Sequence, residues 1–520
     1  MNLLKPLIRV SFITTFSRVL GFIRDNIIAR TFGASIMTDA FFVAFKLSNF
    51  LRRIFAEGAC YQIFLPILSE YKCFFDIKEI KTFISRAFGL LIIILIIIIF
   101  FGLLLAPWII RIAVPGFDNI SEKFDTTVLL FRIMIPYILL ISLASFMGAT
   151  LNTWNFFLVP AFIPIFLNIS MIGFMLCSKY LYLCTPIVGL SWSVFVGGLL
   201  QCIYCLPFLK KVNLLVCPTV NLHDNRIHRI CRSAGLMLVA VLSNQISLTI
   251  NTIFASFLPD GSISWIYYAD RIIELPIGIF GVTLTTVLLP CLSRFIAIGS
   301  SVEYFNLINW GLKLCCVLSF PSAVILGVLS KPLIITLFQY GKFSGFDVLM
   351  TQYSVIAYSI GLPGLILTKV LTAGFYSRHD IQTPIRMIII TVVFSQFINM
   401  MFIHILKHVA FACSISLGAW LNAGLLFWQF KKKYLFRLSS GWLHFLCKLV
   451  IALCFMYIAI FFMQLLIYGN GEGWVINHMF YRLLKIISIL ILGISSYLAI
   501  LKLLGFRVKD FFWFHRDTTN

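Results

Sequence analysis

Asp39, Lys46, Asn49, Arg52, Arg53 and Glu57 stand in a stretch of chain that is otherwise apolar. At 100° per residue, Asp39, Lys46, Asn49, Arg53 and Glu57 fall within roughly one quarter of a helix circumference. Arg18, Arg24 and Asp25 form a second charged group in an apolar segment, and Asp270, Arg271 and Glu274 a third. Arg18 and Asp25, seven residues apart, are expected on one face of their helix, and Asp270 and Glu274 lie one turn apart. A charge held near the centre of a bilayer costs on the order of 3 kcal/mol, so such groups cannot face lipid together and must line water or pair with one another. Arginine stays charged when desolvated, and its planar fork matches phosphate oxygens two at a time. The positive members, Arg18, Arg24, Lys46, Arg52, Arg53 and Arg271, therefore suit a phosphate-bearing ligand better than a sugar or a cation. The acids Asp25, Asp39, Glu57, Asp270 and Glu274 would hold the arginines when the site is empty, or form gates. Snorkelling from helix ends or structural ion pairing is the competing reading, and it suits Arg30, Lys313 and Lys448.

Other reactive residue types point to no covalent chemistry. The lone Cys-x-x-Cys, Cys202 and Cys205, has no second pair, and the fourteen cysteines are scattered through apolar segments, as small core-facing thiols are. His404 and His408, at i and i+4, could face a metal but are expected at a solvated loop edge. An enzyme of lipid-linked sugar metabolism needs clustered acids, histidines or a metal motif at a membrane face; no such cluster is present. The chain is expected not to be an enzyme, with no metal and no cofactor. Neither a coupling ion nor dependence on the membrane potential can be assigned from these residues.

The elements that must position the charges are membrane helices. Of 520 residues, 61% are hydrophobic and 12% charged, and the mean hydropathy is +1.00, values a soluble domain does not sustain. At roughly 20 apolar residues per span, an all-α polytopic protein of about fourteen transmembrane helices fits. The spans fall near 8–31, 36–68, 84–114, 127–151, 157–177, 186–208, 230–256, 263–292, 309–337, 350–375, 384–404, 410–430, 442–467 and 480–503. The first contains Arg18, Arg24 and Asp25 and lacks a cleavage motif, so it is expected to remain in the mature protein.

The 41 Lys and Arg against 19 Asp and Glu would suggest nucleic acid in a soluble chain. Sorted by loop, the basic residues instead follow the rule that cytoplasmic loops collect them. Lys72, Lys78, Lys81 and Arg86, then Lys210, Lys211, Arg226, Arg229 and Arg232, then Lys431, Lys432, Lys433 and Arg437, and the tail with Lys502, Arg507, Lys509 and Arg516, share one side with Lys5 and Arg9. The other side holds far fewer, among them Lys123, Lys179, Lys407, Arg482 and Lys485. Both termini are expected in the cytoplasm, and no nucleic acid is needed.

An offset of 224 residues carries Leu65-Pro66-Ile67-Leu68-Ser69 onto Leu289-Pro290-Cys291-Leu292-Ser293 and Pro160 onto Pro384. Six spans is an even number, so the copies have the same orientation and an axis along the membrane normal. The expected organisation is an N-terminal six-helix bundle over 1–220, a parallel C-terminal six-helix bundle over 221–436, and two extra helices with a tail over 437–520. Two parallel halves are a transporter layout, with substrate bound between them near the midplane.

At these residues the sequence resembles the MurJ (MviN) family of lipid II flippases, in the multidrug/oligosaccharidyl-lipid/polysaccharide exporter superfamily. The resemblance is carried by Phe16-Ser17-Arg18-Val19-Leu20-Gly21-Phe22 with Arg24-Asp25, by Thr38-Asp39-Ala40-Phe41-Phe42-Val43-Ala44-Phe45-Lys46, and by Asn49-Phe50-Leu51-Arg52-Arg53-Ile54-Phe55-Ala56-Glu57-Gly58-Ala59. Ala149-Thr150-Leu151-Asn152-Thr153-Trp154-Asn155, Tyr267-Tyr268-Ala269-Asp270-Arg271 and Gly374-Phe375-Tyr376-Ser377-Arg378 extend it to the twelfth span. It implies translocation of an undecaprenyl-diphosphate-linked peptidoglycan precursor, lipid II, from the inner to the outer leaflet of the bacterial cytoplasmic membrane by alternating access. The charged positions of the family fall on Arg18, Arg24, Asp25, Asp39, Arg52, Arg53, Glu57, Asp270 and Arg271, with Glu274 following. Ser48 departs from the family's usual proline. The implied partners are lipid II and membrane lipids, and a monomer is expected. Export of another lipid-linked oligosaccharide or of a drug is the alternative, and it would fit a site poorer in arginine.

Overall fold

The structure, a computed structural model, describes residues 4–56, 64–177, 185–219, 245, 247–436, 439, 441–468 and 479–506. Among them every regular element is helical. The run Leu90–Phe101, dominated by isoleucine, would be a poor helix in water. In hydrocarbon it has no other choice, because each backbone N–H and C=O must be satisfied within its own segment. It lies in α4 (Ile77–Leu104), where Ile96, Ile97, Phe100 and Phe101 are exposed on the surface that lipid covers.

Contacts divide the chain into two compact units, Met1–Ser264 and Trp265–Asn520. The first contains α1 (Leu4–Phe32), α2 (Ile36–Arg52), α3 (Leu65–Phe74), α4, α5 (Ala106–Ala113), α6 (Ser121–Met134), α7 (Tyr137–Thr153), α8 (Leu158–Cys177), α9 (Pro186–Lys211) and α10 (247–255). Here α1 packs on α8, α2 on α6, and α7 on α9. Ser35 starts α2 with a capping box, its hydroxyl accepting from the Thr38 N–H while the Thr38 hydroxyl accepts from the Ser35 N–H. That cap fixes the depth at which Asp39, one residue further along, enters the bundle.

The second unit follows with α11 (Ser262–Pro276, beginning in the last residues of the first unit), α12 (Val282–Ile298), α13 (Ser301–Val328), α14 (Ser330–Phe338), α15 (Gly345–Ser377), α16 (Gln382–Leu406), α17 (Val409–Tyr434), α18 (Trp442–Tyr468) and α19 (Met479–Leu503). Within it α15 packs on α13 and α17, and α18 on α19. The two terminal helices are joined to α13 by a core of Cys316, Val317, Phe445, Leu449, Met456, Ile460, Ile489 and Tyr497. Gly493 is one reason α18 and α19 approach closely, because a Cβ there would lie 2.7 Å from Ile460.

The helix ends repeat as the sequence does. Ile77–Leu104 and Ser301–Val328 are equal in length and 224 residues apart at both ends; the starts of α5 and α14, of α6 and α15, and of α8 and α16 keep the same offset. In the first half the Pro136 turn divides α6 from α7, whereas the equivalent α15 runs unbroken.

Eleven helices among the described residues are long and apolar enough to cross a membrane. The expected count of fourteen adds three segments with a physical reason to be missing from that set. The 29 residues of α1 carry several charges, α2 has only 17 residues and three charges, and the beginning of the 230–256 span lies outside the described residues. The expected uninterrupted helix over 36–68 differs as well. α2 ends at Arg52, residues 53–56 continue with wider π-helical turns, and 57–63 are outside the described residues. Arg53 itself keeps α-helical dihedrals and its N–H donates to the Asn49 carbonyl, so it follows α2 in regular register and the wider turns lie beyond it.

Candidate functional site

The first unit gathers its charges around buried pairs. On α1, Arg24 and Asp25 are adjacent in sequence, and both are buried, at 5% and 0% exposure. The Arg24 Nε and Nη2 donate to Asp25 Oδ1 at 2.9 and 2.7 Å. Nη1 donates to Asn168 Oδ1 on α8 at 3.0 Å and lies 3.8 Å from the Met171 sulfur, while the guanidinium sits over Phe45 of α2 at 5.6 Å. Asn168 is itself oriented by donating to the Ser17 carbonyl at 3.1 Å. An acid and an amide thus hold a guanidinium that would otherwise be an isolated buried cation. Arg18, two turns earlier on the same regular helix, does not join this group, and its side chain is exposed. The immediate neighbour, Arg24, takes the carboxylate instead.

Further along α2, Asn49 Oδ1 accepts from Arg52 Nε at 2.9 Å, and Arg52 and Arg53 are both half-buried. The buried hydroxyl of Tyr137, at the start of α7, lies within electrostatic reach of Arg52 and of Arg24. α1, α2 and α7 therefore bring these two guanidinium groups towards one region of the first unit. Glu57 lies outside the described residues.

Asp39 is 1% exposed and has all its acceptor capacity directed. Oδ1 accepts from the Ser264 N–H at 2.9 Å and the Ser264 hydroxyl at 2.6 Å. Oδ2 accepts from the Gly261 N–H at 2.8 Å and from Lys123 Nζ at 3.4 Å. The N–H donors belong to the turn that opens α11, where unpaired amides and the helix dipole favour an anion. Lys123, expected in an outer loop, is instead 2% exposed on α6 and also donates to Asp260 Oδ1 at 2.7 Å. Its depth follows from the helix beginning at Ser121, which places Lys123 and Thr127 on one buried face.

In the second unit Arg271 is half-buried. Its Nη1 donates to Glu274 Oε2 at 2.7 Å and its Nη2 to the Tyr267 hydroxyl at 3.0 Å, and the guanidinium lies over the Tyr267 ring at 4.9 Å. Glu274 is 59% exposed, and Asp270 is half-buried. The same unit holds a polar cluster outside the residues singled out from the sequence. Trp265 Nε1 donates to Asp347 Oδ1 at 2.8 Å, and His408 lies against the Trp265 ring at 5.1 Å between centroids. His404 is exposed, as expected of a loop edge, but His408 is buried at 4%. Its Nε2 lies 2.9 Å from the Met350 carbonyl. Burial, aided by Lys407, lowers its pKa from the ordinary value, although the Met350 carbonyl opposes this. Arg482, also expected in an outer loop, is 5% exposed and donates to the Ile335 carbonyl at 3.3 Å.

Cys202 and Cys205 both point from α9 towards carbonyls of α7, Leu140 at 2.9 Å and Ala144 at 4.0 Å. No group of three or more His, Cys, Asp or Glu residues that could hold a metal occurs among the described residues.

Two copies of one helical arrangement at an offset of 224 residues, eleven described helices long and apolar enough to cross a bilayer, and guanidinium–carboxylate pairs on the helices define a multi-pass membrane protein of the transporter class. A family model described as lipid II flippase MurJ matches residues 28–484. The chain belongs to that family. It is 44% identical over 98% of its length to the probable lipid II flippase MurJ of Buchnera aphidicola subsp. Baizongia pistaciae, covering 99% of that protein. It is 40% identical to the lipid II flippase MurJ of Burkholderia cenocepacia, over 86% of this chain and 88% of that one. A solved structure of the lipid II flippase MurJ in an inward closed conformation superposes with a TM-score of 0.79 at 25% identity, over 95% of this chain and 98% of that one. An inward-facing multidrug resistance MATE family transporter of the MOP superfamily gives a TM-score of 0.68 at 13% identity, over 81% and 96% of the two chains, a likeness of fold alone.

Proposed function

We propose that this protein moves lipid II from the inner to the outer leaflet of the bacterial cytoplasmic membrane by alternating access, with both termini in the cytoplasm. The observation that carries the substrate is the 44% identity over 98% of the chain to a protein named a probable lipid II flippase. The charged residues supply the physical means. Lipid II bears a diphosphate, and Arg24, Arg52, Arg53 and Arg271 offer forks that match phosphate oxygens. Asp25 and Glu274 accept from Arg24 and Arg271 here. An entering diphosphate exchanges one anion for another, so neither arginine is left as a bare charge during the exchange. Arg18, Asp39, Asn49, Glu57 and Asp270 complete the proposed set for binding and gating.

Exposed apolar side chains of α18 and α19, among them Val450, Ile458, Phe461, Phe462, Leu465, Ile487, Ile491 and Leu498, support a role for these helices in accommodating the isoprenoid tail. No bond is made or broken in this scheme, and the chain acts as a monomer. The test is rescue of a bacterium depleted of its own MurJ, with lipid II accessibility measured on the outer face. Growth with lipid II appearing outside supports the assignment. Absence of both, at normal membrane abundance, overturns it.

A further inference from the structure

Among the described residues Lys123 is the most deeply buried cation with fully defined partners, and the scheme above gives it no task. Its ammonium is shared between Asp260 Oδ1 at 2.7 Å and Asp39 Oδ2 at 3.4 Å, with the Phe117 ring 4.2 Å away. Asp39 is buried, whereas Asp260 is 42% exposed. The lysine thus links a fixed carboxylate on α2 to a carboxylate on the 256–264 segment that leads into α11. That segment is held at a second place. The Gly116 N–H donates to the Ser256 hydroxyl at 3.0 Å, and a Cβ on Gly116 would lie 2.3 Å from the Ser256 carbonyl oxygen. The turn before α6 therefore lies directly on the backbone at Ser256, and only a residue without a side chain fits there.

The helical architecture does not itself demand a cation at this place. The 224-residue offset carries Lys123 onto Asp347, which is also buried but caps its own helix through Ser344 and accepts from Trp265. One repeat builds the position as a neutral-donor cap, the other as a charged link. A buried ammonium is costly unless both its neighbours are anions in good geometry, and this cost is met only while the 256–264 segment is seated.

We propose that Lys123 is a gating residue, which fastens the 256–264 segment to α2 and α6 when the side of the protein opposite the basic loops is closed and releases Asp260 to water when that side opens. Three of the four donors to Asp39 also come from this segment, so release of Asp260 and uncovering of Asp39 occur together. The proposal rests on the alternating-access reading above.

The test places Ser48→Cys, at a buried α2 position whose hydroxyl makes no hydrogen bond, in a background without native cysteines and measures its labelling by a membrane-impermeant thiol reagent added from outside. Lys123→Met should raise the labelling rate about tenfold or more, because it leaves Asp39 buried without its counter-charge. Asp260→Asn, a change at a partly exposed side chain, should raise it by about threefold or more. Gly116→Ala, which disturbs the seat without touching charge, should act in the same direction, and Lys123→Arg should stay near the parent rate. Parent-like rates, within twofold, in both Lys123→Met and Asp260→Asn would overturn the proposal. If Lys123→Met fails to reach the membrane, Asp260→Asn alone decides. If the parent and every variant transport lipid II yet none is ever labelled from outside, alternating access is what fails, and the gate fails with it.

Discussion

Removing the carboxylate of Asp25 separates the cost of folding from the requirements of transport. Asp25 Oδ1 receives two N–H bonds from Arg24, at 2.9 and 2.7 Å, and both side chains are almost free of solvent, at 6% and 0%. Breaking such a pair by deleting one partner costs about 3–5 kcal/mol; Asn168 can satisfy Nη1 but supplies no charge. Asp25→Ala should therefore lower the unfolding temperature of the purified protein in detergent, followed by tryptophan fluorescence, and lower its membrane abundance. The double variant Arg24→Met with Asp25→Leu replaces the pair by apolar groups of similar size and should recover part of that loss. The remainder is about 1–3 kcal/mol, from the Asn168 oxygen deprived of its donor. If Arg24 binds diphosphate, the double variant should be stable yet unable to rescue a MurJ-depleted strain. A double variant that is stable and fully active would refute the reasoning, because the pair would then be scaffold. An Asp25→Ala protein unfolding at the parental temperature would refute its energetic half.

Arg52→Ala and Arg271→Ala should each reduce rescue by at least about tenfold at near-normal abundance, and lysine at either position should restore it only in part, since a point charge cannot reproduce the fork; full rescue by both alanine variants excludes these forks from the site. For orientation, Ser121→Cys should react with an impermeant thiol reagent from outside, whereas Ser439→Cys should not; the reverse pattern inverts the topology. The loop after α15 gives a pH prediction. Burial alone would raise the Asp380 pKa, but bonds from Lys433 and Thr383 outweigh it, and the net shift is downward. A carboxylate with a depressed folded pKa contributes stability above its unfolded value, near 4, and loses that contribution as the pH falls through the folded value. Asp380→Asn should thus be less stable than the parent at pH 7, with the difference shrinking below about pH 4; a difference independent of pH would discard the ionic account of that latch.

The fold was legible because its strongest determinants are local or periodic. Bilayer thickness sets helix length, and the repeated Pro-containing runs give an offset that the helix ends then reproduce, as Ile77–Leu104 and Ser301–Val328 do. Part of the site was legible for a related reason. Charged side chains such as Arg24, Asp25 and Asp39 stand out against apolar surroundings, and their cost in hydrocarbon requires partners. What periodicity leaves open is the choice of partner. Asp25 sits on the Arg18 face of an ideal helix, yet a guanidinium one residue away can curl onto the same carboxylate, while Arg18 remains exposed. The wider turns after Arg52 likewise have no proline or glycine at 53–56 to announce them.

Lys123 shows where sorting charges by loop has to fail. Its position between apolar spans, beside Glu122 and Asp125, has the composition of a solvated turn. Only tertiary contact shows α6 beginning early enough to bury that side chain against Asp39, with Asp260 arriving from a segment 137 residues further along. Asp347, at the equivalent place in the other repeat, does carry a local sign of its role, since Ser344 and Asp347 have the spacing of a capping box. A cap is written within four residues of sequence; an ion pair between distant segments is not. The second half of the repeat therefore discloses its structural device in the sequence, while the first half conceals the one on which gating is proposed to depend.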